Sequence, residues 1–158
     1  MKLTQFSFSA VLHDLYNAVY MEAQRHSHTM KLCVEPGLPQ VRADRERIMQ
    51  VMMNIVSNSI KYTPDGGQIQ ISAGQNGSRV WMQVDDNGIG IPQEDRGRIF
   101  ERFYRVDKAR SRAAGGTGLG LSIVSDTVRR QGGTVEAANR PGGGAVFTVR
   151  WSAEEGEA

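Results

Sequence analysis

One cysteine and 7% aromatic residues are the scarcities that first bound this chain of 158 residues. A single thiol, Cys33, excludes an internal disulfide and points to a reducing compartment, where a lone cysteine in an alternating apolar run reads as a small core residue. No apolar run reaches the roughly 18 residues of a membrane span, and the N-terminus lacks a basic region followed by an apolar core. The chain therefore reads as soluble, with no leader and no membrane contact. Net charge is also small: 19 basic against 17 acidic side chains leave +2, too little for a surface devoted to nucleic acid.

What is present is an ordinary globular composition, 39% hydrophobic and 23% charged, in a length that suits one domain with a real core. The 18 glycines cluster, and the basic residues cluster with them. Between Arg96 and Arg112 stand Arg96, Arg98, Arg102, Arg105, Lys108, Arg110 and Arg112 against Glu101 and Asp107, seven cations to two anions or +5 in one segment. The final residues, from Ser152, are acidic and read as a flexible tail, leaving 1–151 as the folded domain.

Periodicity predicts the element order. Val11, Leu12, Leu15, Ala18, Val19 and Ala23 fall at helical spacing behind serine caps, over about residues 10–26. "MKLCVEPGLPQVRA" alternates and breaks at Pro36-Gly37, giving two short strands. A long helix follows, with Asp44 as N-cap and a stop at Thr63-Pro64. Two alternating runs separated by Asn76-Gly77 predict a hairpin. After the loop "NGIGIPQED", a short helix from "RGRIFERF" dissolves into the basic segment. A helix from Gly118 to Gln131 and a second, glycine-rich hairpin complete the chain. Hairpins interspersed with helices predict a two-layer α/β sandwich, a mixed sheet covered by helices on one face.

Three segments could carry chemistry. On the long helix, Asn54, Asn58, Lys61 and Tyr62 share one arc, with Arg47 and Gln50 nearby, opposite Ile48, Met52, Ile55, Val56 and Ile60. Such a face is either a solvated surface or a site in which two amide oxygens suit Mg²⁺ and Lys61 reaches a phosphate. In "DDNGIGIP", Asp86 is either a turn former or a carboxylate that accepts from the exocyclic amine of adenine; guanine, with a carbonyl there, would be refused. In "GGTGLGLSIV", Gly116, Gly118 and Gly120 do not follow a strand and no Gly-Lys-Ser/Thr occurs, so the stretch is neither a dinucleotide fingerprint nor a Walker loop. What survives is a flexible entry to a helix N-terminus, suited to phosphate, behind a basic lid able to offset triphosphate charge. His26, His28 and Cys33 match no common metal-ligand spacing.

In this order the segments resemble the ATP-binding catalytic domain of bacterial sensor histidine kinases, in the superfamily shared with gyrase, Hsp90 and MutL. "NIVSNSIKY" is similar to the asparagine box, "DNGIGIP" to the first glycine box, "IFERFYR" to the phenylalanine box and "GGTGLGLSIV" to the second glycine box. "GGTVEAANRPGGGAVFTV" is similar to the closing hairpin. The resemblance implies a Bergerat-type fold of about five mostly antiparallel strands under about three helices. It also implies ATP and Mg²⁺ as ligands. Asn58 would hold the metal, with Asn54 supporting it, Lys61 on phosphate and Tyr62 beside the nucleoside. Asp86, Gly88, Gly90 and Ile91 would form the adenine pocket, Arg105 would lie near the γ-phosphate, and Gly116, Thr117, Gly118, Leu119 and Gly120 would form the hinge and phosphate turn.

Two features sharpen this expectation. Where ATP-hydrolysing relatives carry a glutamate base, this chain has Asn54, an amide that takes no proton at neutral pH, so transfer to a better nucleophile is implied over hydrolysis. The family's phosphoacceptor segment, a histidine followed by an acidic residue, Leu, Arg, Thr and Pro, does not occur, and His13, His26 and His28 have other neighbours. The resemblance thus implies a catalytic module whose partners are a separate dimerising domain bearing the histidine and a response-regulator receiver. It further implies cytoplasmic placement within a parent protein anchored to the membrane. The alternatives are a Ser/Thr kinase of the anti-sigma type, disfavoured by the phenylalanine box, and a degenerate ATP-sensing module.

Overall fold

The computed structural model describes residues 2–91 and 120–152, and every statement below concerns those residues. Ten elements follow one another: β1 (Thr4–Ser7), α1 (Phe8–Arg25), β2 (Thr29–Val34), β3 (Gln40–Ala43), α2 (Arg45–Tyr62), β4 (Gln68–Asn76), β5 (Arg79–Asp86), α3 (Gly120–Arg130), β6 (Thr134–Asn139) and β7 (Ala145–Ser152). The main sheet has the order β2-β4-β5-β7-β6, with β2 and β4 parallel and all other neighbours antiparallel. The expected mixed, mostly antiparallel five-stranded sheet is thus observed, with three helices among the described residues.

Local signals account for most boundaries. Ser7 caps α1 by accepting from Ala10 N at 3.1 Å, and Asp44 caps α2 by accepting from Arg47 N at 3.3 Å; each offsets an orphan N–H of a first turn. Thr63 ends α2 in extended backbone, as the residue before Pro64 must. Asp44 also accepts from the backbone N–H of Lys2 at 3.0 Å. That bond is the main reason its carboxyl is held below the ordinary 3.8, burial working against it and the Arg47 N–H and guanidinium adding to it.

The core lies between the helices and one face of the sheet. Ile69, Ile71 and Ala73 of β4, Val80, Met82 and Val84 of β5, and Phe147, Val149 and Trp151 of β7 are all buried. In register they form cross-strand rows such as Ile71–Val84–Phe147. Ile48, Met52, Ile55 and Val56 of α2 press on them, as do Phe8, Leu12 and Leu15 of α1. Phe8 meets Trp151 edge to face at 5.9 Å.

Two features differ from the sequence expectation. Residues 4–7, not expected to be a strand, pair antiparallel with β3, so the short strands β2 and β3 belong to different sheets. Cys33 is exposed, not in the core. The alternation in β2 is real, but Met30, Leu32 and Val34 take the inward phase and Lys31 and Cys33 the outward one. The short helix expected from "RGRIFERF" lies outside the described residues. Strand β7 runs to Ser152, where the expected acidic tail begins.

Candidate functional site

The site gathers at the ends of α2, β5 and β6. Helix α2 carries Ile48, Met52, Ile55, Val56 and Ile60 inward, which turns the opposite arc outward. On that arc Asn54, Asn58 and Tyr62 are half-buried, while Arg47, Gln50 and Lys61 are exposed. Neither asparagine amide, nor the Lys61 ammonium, bonds to another described residue.

Asp86 is the last residue of β5 and its side chain belongs to the inner face, paired in register with Ile69. A carboxylate only 3% exposed needs partners. Its Oδ1 accepts from Gly88 N at 2.9 Å and from Ala145 N at 3.2 Å. The first bond turns the chain sharply after β5; the second ties that turn to the start of β7. One oxygen is thus spent on positioning the chain, and no described residue donates to the other, Oδ2. The neighbouring Asp85 faces the opposite side of the sheet, where burial raises its carboxyl and Arg140 opposes that rise.

The loop after Asp86 is held from three directions. Asn87 N donates to Gln68 O at 3.2 Å and its side chain accepts from Gln68 N at 2.8 Å. Ile89 N donates to Tyr62 O, the C-terminal carbonyl of α2, at 3.2 Å. A β-carbon on Gly88 would collide with that same Tyr62 carbonyl and meet Thr63 Oγ1 at 2.9 Å. The glycine is therefore demanded by the chain's own packing, before any ligand is considered. Buried His28 in turn bonds Thr63 O through Nε2 at 2.9 Å, bracing the end of α2.

At the far end of the loop Ile91 is buried, and Asn139, the last residue of β6, bonds both its backbone N–H and its carbonyl. Sequence reading did not single out Asn139. Its only local signal was a place beside the turn "RPGGG", where an asparagine reads as one more turn former.

The structure thus brings Asn54, Asn58, Lys61 and Tyr62 onto one face of α2 and joins the end of that helix to Asp86, Gly88, Gly90 and Ile91. Gly120 begins α3. The positions expected for Arg105, Gly116, Thr117, Gly118 and Leu119 lie outside the described residues.

Comparison with known proteins places this geometry. A family profile described as histidine kinase-, DNA gyrase B- and HSP90-like ATPase matches residues 43–155, most of the chain. The chain belongs to that ATPase family. Within it, the likeness is to catalytic domains of sensor histidine kinases. The sensor-like histidine kinase SenX3 of Mycolicibacterium smegmatis is 44% identical over 110 residues, covering 70% of this chain and 29% of that protein. The nucleotide-free catalytic domain of histidine kinase ThkA superposes with a TM-score of 0.86 at 28% identity, covering 97% of each chain. ThkA in complex with the response regulator TrrA gives a TM-score of 0.83 at 25% identity, covering 99% of this chain and 43% of that one. The chain spans less than a third of the length of SenX3. It is a histidine kinase catalytic ATPase domain, and no helix among its described residues is long and apolar enough to cross a membrane.

Proposed function

We propose that this chain binds Mg-ATP and presents the γ-phosphate to a histidine on a separate dimerising domain, as the cytoplasmic catalytic module of a larger, membrane-anchored sensor kinase. The observation that carries the reading is the carboxylate of Asp86: Oδ1 is held by Gly88 N and Ala145 N, and Oδ2 accepts from no described residue. An acceptor fixed in this way takes a hydrogen bond from the adenine amino group and sets two acceptors face to face with guanine.

The polar arc of α2 suits the triphosphate end. Asn58 and Asn54 offer hard amide oxygens without described partners, a donor set that fits Mg²⁺, which keeps most of its ligands from water and phosphate. Asn58 would hold the ion and Asn54 support it; bound Mg²⁺ supplies neutralisation of phosphate charge. Lys61, exposed and unpaired among the described residues, would contact phosphate, and Tyr62 would flank the nucleoside. Arg105 and the segment from Gly116 to Leu119 complete the proposed set. Because Asn54 cannot accept a proton as a carboxylate would, the residues here position a donor instead of activating water. Phosphate would pass from the acceptor histidine to an aspartate of a receiver domain, a reading in line with the response-regulator complex of ThkA.

The test is reconstitution. The chain, Mg-ATP and the dimerising histidine domain of the parent protein are mixed, and phosphohistidine is sought on the added domain. Transfer is expected there, with no labelling of His13, His26 or His28 when the chain is incubated alone. Acid-labile labelling of those histidines would overturn the separate acceptor, and absence of transfer would favour an ATP-sensing module.

A further inference from the structure

We infer that Asn139 is a positioning residue for nucleotide binding: its side-chain amide takes the place of a neighbouring strand and fixes the backbone of the loop that carries the adenine contacts. This inference rests on the reading of Asp86 as the adenine acceptor.

The geometry is reciprocal. Oδ1 of Asn139 accepts from Ile91 N at 2.7 Å and Nδ2 donates to Ile91 O at 2.8 Å, across 48 residues of sequence. Both backbone polar groups of one residue are thereby satisfied by one side chain, as a β-ladder partner would satisfy them. Only a primary amide at this reach can do so: it presents a donor and an acceptor side by side, where a carboxylate offers acceptors alone and a hydroxyl a single atom.

The clamp closes a circuit. Asp86 starts the loop and is bonded to Ala145 N, at the head of β7. Asn139 ends β6 and holds Ile91, at the loop's other end. The turn joining β6 to β7 closes on itself through Arg140 N to Gly144 O at 2.9 Å. Gly90 holds a φ of +76°, and a β-carbon there would sit tightly against Asn139 Oδ1 at 3.1 Å and Gly144 O at 3.3 Å. One hairpin therefore grips both ends of the six-residue stretch from Asp86 to Ile91, and the loop's shape is set before ligand arrives. Pre-organisation of this kind lowers the ordering cost of binding.

Asn139 itself is exposed, so its value lies in these two bonds and not in core packing. That separates a positioning role from a structural one. In the whole chain, Asn139→Ala is expected to leave the circular dichroism spectrum unchanged and to weaken ATP affinity by calorimetric titration about tenfold, the equivalent of ~1.4 kcal/mol. Asn139→Asp, which keeps the acceptor for Ile91 N but sets an acceptor against Ile91 O, should lose nearly as much. The amide resonances of Gly88, Gly90 and Ile91 should shift in both variants. Arg140→Ala, one residue further on, is the control and should bind as the parent does. Unchanged ATP affinity in Asn139→Ala with a native spectrum would overturn the inference. Asp86→Ala in the same titration separates the two readings: if it too binds normally, the adenine assignment fails; if it alone loses ATP, only the role of Asn139 does.

Discussion

The backbone carbonyl of Asp86 fills the space that a β-carbon on Gly144 would need, and Gly144 holds a φ of +106°. The turn between β6 and β7 is thus pressed against the residue proposed to read adenine, with nothing but a hydrogen between them. Gly142, two residues earlier, has a φ of +87° but open space around it. Gly142→Ala should cost only the backbone strain, about 1 kcal/mol. Gly144→Ala should cost several times that, because backbone has to move as well. Thermal unfolding of the two variants checks this, and equal losses would show that the close approach to Asp86 carries no energy.

Removing the acceptor itself should act on binding. Asp86→Ala leaves Gly88 N and Ala145 N without their shared partner and takes away the proposed adenine contact. ATP affinity should fall by about 1.5–3 kcal/mol, the worth of a charge-assisted hydrogen bond, or below detection. Titration of ATP against GTP provides the second readout: the parent chain should prefer ATP, and the variant should lose that preference.

Asn58→Ala should leave the fold intact, since the side chain is only half-buried and bonds no described residue. Its effect is expected in the Mg²⁺ dependence of ATP binding, which should flatten. Titrating ATP at a series of Mg²⁺ concentrations measures it, and an unaltered response would remove Asn58 from the metal's ligands.

Acid should expose the cap of α2. The folded pKa of Asp44 lies below its ordinary 3.8, chiefly through the Lys2 N–H. A depressed folded pKa contributes stability that is fully present above the unfolded value and lost as pH falls through the folded one. Asp44→Ala should therefore lower the unfolding midpoint at neutral pH, and the gap to the parent chain should close in acid. A gap that stays constant with pH would mean that the cap's charge contributes nothing.

The extent of legibility differs from element to element. α2 was readable because its apolar period, its Asp44 cap and its Pro64 stop each act through neighbours along the chain. The two hairpins were readable for the same reason, with pairs 76–79 and 139–145 forming beside their own turns. β1 was not: four residues make a strand only because β3, more than thirty residues later, lies alongside. Cys33 was read as a core residue and faces outward, because the neighbouring strand β4 sets which face of β2 meets the helices.

The amino-acid sequence by itself determined the helix and hairpin order, the polar arc of α2, and Asp86 as a candidate acceptor, because each depends on spacing along a short segment. Only the tertiary structure decided that Asp86 spends one oxygen on Gly88 N and Ala145 N, that Gly88 is required by the end of α2, and that Asn139 holds Ile91. Those are contacts between segments up to 59 residues apart. Their partners are brought together by burial of the common core, and no local pattern of residue types specifies which distant carbonyl a side chain will meet.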